Sequence, residues 1–264
     1  MCILALQYQA ANDAPILLVH NRDEFYNRAA HPPRIQPGRP KILCGVDRKA
    51  GGTWLGVNQY GLVVAVVNRP KLHVPPQPRS RGLLCRDLLG YYCAQEAVES
   101  ALRELKTGNY AGVNLLCADK NYAAVIHAGE QLEVVPISPG LHLLTSSNVD
   151  DWSDPRQEFA RRMLTLQRLD SAVAFLAVAS RTFSRKANSE GRRGLVIVGK
   201  DYGTVSSTLM AIPDRTQNAV YQYAPGPPSD VPYEDYSALL RQVLSADKSS
   251  EKAVERSGEK LAER

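Results

Sequence analysis

The chain has 264 residues, of which 44% are hydrophobic, and its 32 Lys and Arg against 27 Asp and Glu give a formal net charge of +5. This hydrophobic fraction is enough for a folded core and excludes the disordered and fibrous classes. Nucleic-acid binding is disfavoured because the basic residues are scattered, apart from one short stretch that is better interpreted as a solvated loop: Arg181, Arg185, Lys186, Arg192 and Arg193.

The cysteines and histidines argue against a disulfide framework and against a metal site. There are five cysteines, an odd number, and no Cys-x-x-Cys pair, while the five histidines lack any paired spacing. We interpret four of the cysteines as small buried apolar residues: Cys44, Cys85, Cys93 and Cys117. The first apolar stretch, residues 3–6, lacks a basic flank and is too short to span a membrane, so the sequence predicts a cytoplasmic protein.

The chain opens with two apolar segments that predict a β-hairpin. Residues 2–9 and 15–21 flank the polar turn at residues 11–14. Short segments rich in β-branched residues predict further strands at residues 53–57, 62–67, 113–117, 123–127, 132–135, 141–145, 194–198, 205–212 and 219–223.

Helical spacing of apolar residues occurs between these groups of strands. It predicts helices around residues 83–92, 97–105, 159–169, 175–178 and 239–243. Groups of strands alternating with groups of helices indicate an α+β fold with an antiparallel, layered sheet core. Residues 1–246 are predicted to form a single domain, followed by a charged tail at 247–264 that is frayed or disordered.

Cys2 is the strongest candidate for a chemical centre. Removal of Met1, which is normal before a small residue, would make Cys2 the N-terminal residue. Its α-amine, with a pKa of about 7.7–8.0, could then act as base for its own thiol.

The hairpin predicts which residues lie beside Cys2. With the turn centred near Asn12, paired positions sum to 24, so Cys2 faces Arg22 on the same side of the sheet. We expect Arg22 to favour the thiolate and Asp23 to hold the amine, although a slip of one residue would exchange their roles. The alternative is that residues 21–24 are an ordinary polar turn.

Several motifs together resemble the NRDE-motif family, also called transport-and-Golgi-organisation-2-like proteins. They occur in the family's order over about the first 212 residues: the initial MC, HNRDEFYNR at 20–28, GGTWLGV at 51–57, GLVVAVVNRP at 61–70, SRG at 80–82 and YGTVSST at 202–208. The family resembles the N-terminal-nucleophile hydrolases, four-layer αββα sandwiches that include penicillin acylases and bile-salt hydrolases and cleave amide C–N bonds.

The resemblance implies roles for individual residues. Cys2 matches the nucleophile, Arg22 and Asp23 match the positions that hold the nucleophile and its amine, and Glu24 is a rival to Asp23 because related hydrolases separate this Arg and Asp by two residues. Asn68 and Asn148 match oxyanion-binding positions. Three further residues are predicted to bind substrate: Asn21, Trp54 and Thr204.

The expected function is hydrolysis of a linear or cyclic amide of a small molecule, without a cofactor. The alternative is a non-enzymatic carrier on the same fold, because family members are linked to haem trafficking and to lipid and acyl-CoA metabolism. One departure from the family pattern is Val205, which stands where many members have an arginine in the motif YGTR. The absence of this arginine bears on whether catalysis is retained and weakens any inference about anionic substrates.

Overall fold

A computed structural model describes residues 2–187 and 193–246. Its strands are β1 (Ile3–Tyr8), β2 (Ile16–Phe25), β3 (Ala30–Gln36), β4 (Ile42–Asp47), β5 (Leu55–Asn58), β6 (Val63–Asn68), β7 (Val113–Ala118), β8 (Ala123–Ala128), β9 (Leu132–Pro136), β10 (Gly140–Leu144), β11 (Tyr202–Ile212), β12 (Val220–Ala224) and β13 (Glu234–Asp235). Its α-helices are α1 (Arg81–Leu88), α2 (Ala94–Lys106), α3 (Pro155–Leu164), α4 (Ala172–Phe183) and α5 (Ser237–Leu244).

The strands form two antiparallel sheets. One sheet has six strands in the order β10-β1-β2-β11-β12-β13, and the other has seven in the order β3-β4-β5-β6-β7-β8-β9. Helices α3 and α4 pack on the six-stranded sheet, and α1 and α2 pack on the seven-stranded sheet. The fold is therefore a four-layer αββα sandwich, as the resemblance to the NRDE-motif family implies.

Burial on both faces explains why the first strands are apolar at nearly every position. In β1, Leu4 and Leu6 belong to the core between the two sheets, whereas Ile3 and Ala5 pack under α3 and α4. Alternating side chains point to opposite faces of a strand, so only a strand covered on both sides needs apolar residues throughout.

The predicted hairpin and its register are confirmed. Leu4 pairs with His20 and Ile3 with Asn21, so paired positions sum to 24. However, β2 continues to Phe25, four residues beyond its predicted end, because β11 pairs with it along this whole length. The alternative of a polar turn at residues 21–24 is therefore wrong.

Other segments depart from the predictions for local reasons. Strands β3 and β4 were not predicted, and β3 contains Pro32 and Pro33, which fall within an irregularity of its pairing with β4. Residues 194–198 form only isolated bridges instead of the predicted strand. Cys93 is partly exposed, whereas the other three cysteines interpreted as buried are buried.

Parts of two predictions lie outside the described residues. These are the charged tail at 247–264 and Arg192 of the basic stretch. Over residues 2–187 and 193–246, the helices are all too short or too polar to cross a membrane.

His20 is a buried polar residue in the middle of this fold. Its side chain is 1% exposed, and within the described part of the chain neither ring nitrogen has a hydrogen-bond partner. Burial, with a smaller contribution from Arg22, lowers the pKa of His20 to about 3. The imidazole is therefore neutral in the folded protein at neutral pH.

We expect His20 to make the stability depend on pH. The unfolded chain binds a proton at His20 below a pKa of about 6.5, and the folded chain does not until about 3, so this contribution to stability is present above pH 6.5 and lost as the pH falls. The free energy of unfolding should fall by up to about 1.4 kcal/mol per pH unit on this account. When the free energy of unfolding is measured with urea at several pH values between 7 and 4, it should depend less steeply on pH in His20→Leu than in the unaltered protein.

The matched control is His31→Leu, at a partly exposed position on β3. In this variant the free energy of unfolding should change with pH as steeply as in the unaltered protein. The same pH dependence in all three proteins would contradict the assignment to His20.

Candidate active site

Cys2 lies directly before β1 and is buried, with 7% of its surface exposed. It packs with Leu4 and Leu6 in the core between the sheets. The backbone N–H of Asp23 donates to Cys2 Sγ at 3.4 Å, and Sγ lies 3.7 Å from the Asp23 carbonyl oxygen. The antiparallel pairing of β1 and β2 thus fixes the thiol against the end of β2.

Two neighbouring hollows meet near this thiol. The Cys2 cavity has a volume of about 450 Å³ and is lined by Cys2, Arg22, Asp23, Glu24, Arg28, Asp47, Lys49, Ala50, Thr53, Trp54, Val66, Asn68, Pro78, Arg79, Ser80, Arg81, Gly82 and Ala111. The outer hollow has a volume of about 690 Å³ and is lined by Glu24, Phe25, Asn27, Arg28, Ala29, Arg48, Lys49, Asn68 and Arg81. The shared lining residues make the two hollows adjacent parts of one cleft.

The carboxylate of Asp23 is held by side chains from two other elements. Thr204 Oγ1 donates to Asp23 Oδ1 at 2.6 Å, and Arg156 Nη2 of α3 lies 3.1 Å from Asp23 Oδ2. The hydroxyl of Tyr202 donates to the Asp23 carbonyl oxygen at 3.0 Å. Burial raises the pKa of Asp23, and the contacts with Arg156 and Thr204 oppose this rise.

A bulge in β11 brings these residues into position. Thr204 pairs with Asp23 and Ser206 pairs with Arg22, so Val205 is an extra residue in the ladder. The extra residue shifts the alternation of side chains, which places Thr204 on the same face as Asp23. Val205 therefore occupies the bulge itself.

Arg22 is a buried cation whose contacts lie on the cavity side of β2. Its guanidinium carbon is 4.2 Å from the centre of the Trp54 ring, and its Nη2 is 3.9 Å from Glu24 Oε2. Burial lowers the pKa of Arg22, and the attraction of Glu24 opposes this shift. Stacking on an indole face stabilises a guanidinium that has lost part of its water.

Arg28 joins the acidic groups of the cavity. It donates to both carboxylate oxygens of Asp47, at 2.8 and 3.3 Å, and lies 3.5 Å from Glu24. Burial acts to raise the pKa of Asp47, but the bonds from Arg28 and from backbone amides lower it overall. Both Glu24 and Asp47 thus form salt bridges with Arg28.

The motifs GGTW and SRG meet where two backbones cross. A Cβ atom on Gly52 would lie 2.1 Å from the carbonyl carbon of Gly82, so only glycine fits at position 52. The adjacent Thr53 N–H donates to the Gly82 carbonyl at 2.9 Å. This crossing fixes Trp54 and the first turn of α1 on the cavity wall.

The predicted site residues fall into two groups in space. Cys2, Arg22, Asp23, Trp54 and Asn68 line the Cys2 cavity, and Asn68 ends β6 with an exposed side chain.

The other three predicted residues do not line this cavity. Asn148 lines a separate hollow, where its Oδ1 accepts a bond of 2.7 Å from Arg69. Asn21 is fully buried and donates to the carbonyls of Phe183 and Leu195, and Thr204 acts on Asp23.

Arg156 is a site residue that the sequence analysis missed. It lies in the first turn of α3, after the N-cap Asp154 and Pro155. A basic residue in the first turn of a helix is opposed by the helix dipole, so its contact with Asp23 supplies a compensating interaction. The only signal in the sequence is this unfavourable placement, and it does not identify the partner.

In the folded chain that retains Met1, Arg22 does not make Cys2 a thiolate, and thiolate formation in the processed chain stays a prediction. Burial raises the pKa of the Cys2 thiol to about 11, the Asp23 carboxylate adds to the rise, and Arg22 opposes it. Cross-strand pairing correctly predicts the sign of the Arg22 effect, but the loss of water around the thiol outweighs it.

The four layers and the two antiparallel sheets define an αββα sandwich of the N-terminal-nucleophile hydrolase type. A solved structure with this fold, the Caenorhabditis elegans N-acylethanolamine-hydrolyzing acid amidase ortholog, has a TM-score of 0.51 and 15% sequence identity to this chain. The superposition covers 82% of this chain and 96% of that one.

The chain belongs to the Transport and Golgi organisation 2 family, whose sequence model matches residues 1–222. It is 30% identical over 162 residues to the mouse Transport and Golgi organization 2 homolog, and 30% identical over 165 residues to the human homolog. Each match spans 56% of this chain and 57% of the relative's length.

We expect Cys2 to be a slow thiol in the chain that retains Met1. Brief treatment with substoichiometric iodoacetamide at pH 7 should modify the partly exposed Cys93 before Cys2, because the raised pKa keeps Cys2 protonated. Asp23→Asn should speed the modification of Cys2 several-fold, since the carboxylate contributes to the raised pKa. Peptide mass mapping gives the order of reaction.

Removal of Met1, verified by intact mass, should accelerate Cys2, because an ammonium group then lies on the same residue. Preferential modification of Cys2 at pH 7 with Met1 in place would contradict the dominance of burial.

Proposed function

We propose that this protein is an amidohydrolase in which Cys2, made N-terminal by removal of Met1, cleaves the amide C–N bond of a small molecule. The observation that carries the proposal is the position of Cys2 Sγ, which lies in the wall of a cavity and accepts the Asp23 N–H at 3.4 Å. An otherwise buried thiol is thereby presented to a hollow large enough for a small substrate.

The reaction proceeds in two steps. Cys2 Sγ attacks the amide carbonyl carbon, the thiol proton passes to the α-amine of the same residue, and the resulting ammonium protonates the leaving nitrogen as the C–N bond breaks. The α-amine then accepts a proton from water as the water oxygen attacks the thioester carbonyl. The C–S bond breaks, the ammonium returns this proton to the leaving sulfur, and the carboxylic acid is released with the free thiol and amine restored. A protonated thiol suits this route, because its proton leaves as the new C–S bond forms.

The surrounding residues would assist without taking part in bond making. Asp23 is better placed than Glu24 to hold the ammonium, because its backbone contacts Cys2 and its carboxylate is fixed by Thr204 and Arg156, whereas Glu24 is engaged by Arg28. Asn68 would donate its amide N–H to the oxyanion from the end of β6.

The lining of the cavity favours this function over that of a haem or lipid carrier. A carrier of haem or lipid needs a wide apolar surface. The lining of the Cys2 cavity consists mostly of charged and polar residues, which suit a small polar substrate better.

We expect Cys2→Ala to abolish amide hydrolysis in the processed protein. The measurement is release of primary amine from a panel of N-acyl amides, with the acyl-thioester at Cys2 trapped at low pH and located by peptide mass mapping. Cys85→Ala is the matched control, because Cys85 is a buried thiol outside the cavity lining. Turnover that survives Cys2→Ala, or an acyl group on another residue, would refute the proposal.

Asn68→Ala should lower kcat by about 10²–10³-fold, the usual effect of losing one oxyanion donor. Asn148→Ala serves as the comparison, because Asn148 lies in a separate hollow and should have a much smaller effect. Steady-state kinetics on one amide substrate decide between the two asparagines. An equal or larger loss for Asn148→Ala would show that the oxyanion is bound from that side of the cleft.

A further inference from the structure

The outer hollow carries an excess of positive charge. Its basic lining residues are Arg28, Arg48, Lys49 and Arg81, and its acidic lining residue is Glu24. Asp47, in the wall of the neighbouring Cys2 cavity, is already bonded to Arg28. Glu24 and Asp47 pair with Arg28, and among the described residues the other three basic side chains of the lining form no salt bridge of their own, while Glu24 attracts Arg81 from a greater distance.

The three remaining basic residues differ in how they are held. Arg48 and Lys49 are exposed in the turn after β4. Arg81 is half-buried, and its Nη1 donates to the carbonyl oxygen of Gly112 at 2.9 Å. Within the described part of the chain, none of the three forms a salt bridge with an acidic side chain.

Arg81 is placed where an anion would stabilise it most. Burial, reinforced by the nearby Arg28, lowers the pKa of Arg81, and the attraction of Glu24 opposes this shift only in part. It is also the first residue of α1, where the helix dipole opposes a positive charge. A bound anion would offset both effects, and a guanidinium presents paired N–H donors that match a carboxylate or a phosphate.

The outer hollow adjoins the Cys2 cavity, and Arg28, Lys49, Asn68 and Arg81 line both. A substrate whose amide lies at Cys2 can therefore extend into the outer hollow.

We propose that the substrate carries an anionic group, a carboxylate or a phosphate, on the part of the molecule that extends beyond the scissile amide, and that Arg48, Lys49 and Arg81 bind this group. This inference rests on the proposed amidohydrolase function for the position of the amide, but the binding of the anion is independent of turnover. The arginine that many relatives carry at position 205 is not required for it, since the basic side chains come from other segments.

The test compares three amides that differ only in the distal group of the amine portion. These are the hexanoyl amides of propylamine, β-alanine and ethanolamine phosphate, which present a methyl group, a carboxylate and a phosphate. Processed full-length protein should cleave at least one anionic amide with a kcat/KM at least tenfold above that of the neutral amide, and added salt should reduce this ratio. The two anionic amides distinguish a carboxylate from a phosphate ligand.

Arg81→Gln should reduce the ratio of anionic to neutral kcat/KM by about tenfold or more, the usual effect of losing a charge-assisted hydrogen bond. If Arg81→Gln fails to fold, Arg48→Gln and Lys49→Gln test the same hollow, because Arg48 and Lys49 lie in an exposed turn. Each should also reduce the ratio of anionic to neutral kcat/KM. Arg103→Gln removes a charge from an exposed position of α2 and should leave the ratio unaltered. A preference for the neutral amide, or an anionic preference indifferent to all three substitutions, would overturn the inference while leaving the hydrolase proposal in place.

Binding of the same amides to Cys2→Ala protein, measured by calorimetry, separates the two proposals. Anion binding that weakens at least tenfold in Cys2→Ala/Arg81→Gln supports the charged subsite even if no amide is hydrolysed. Absence of detectable binding of both anionic amides, with the neutral amide cleaved normally, would exclude the subsite alone. Absence of both binding and hydrolysis would refute both proposals.

Discussion

The burial of charge at the end of β2 is the constraint on which the arrangement of this site depends. Arg22 and Asp23 lie 6% and 2% exposed, in a central strand between two layers of the sandwich. A buried charge costs several kcal/mol unless it is paired. The fold meets this requirement from separate segments, with Trp54 stacked on Arg22, and with Thr204 and Arg156 bonded to Asp23.

The alternation of side chains along one strand gives these charges different tasks. Arg22 contacts Trp54 and Glu24 on the cavity side, while the Asp23 carboxylate is held from α3 and β11 on the other side. The same Asp23 contacts the thiol of Cys2 through its backbone. β2 thus places the thiol of Cys2 next to the Asp23 carboxylate, which is held in one position by its hydrogen bonds. A charged group held in this way does not have to reorganise during a reaction.

The electrostatics of the thiol depend on burial more than on its charged neighbours. Arg22 alone would lower the pKa of Cys2, but the loss of water raises it to about 11. A hydrolase of the type proposed does not need a stable thiolate, since the proton can leave during the attack. Under the proposed function, the charge in the wall of the cleft is assigned to recognition of the substrate and not to activation of the sulfur.

The sequence by itself determined the layered α+β fold, the hairpin and its register, because periodicity and turn residues are local and a pairing sum follows from the position of a turn. It also placed Cys2 beside the end of β2, where the Asp23 backbone contacts its thiol. It did not determine where β2 ends, because the residues that extend β2 to Phe25 belong to β11, almost two hundred positions away. Only the tertiary structure brought Arg156 to Asp23 and placed Asn148 in a separate hollow. Such contacts depend on how whole layers pack against each other, and no local sequence pattern predicts that packing.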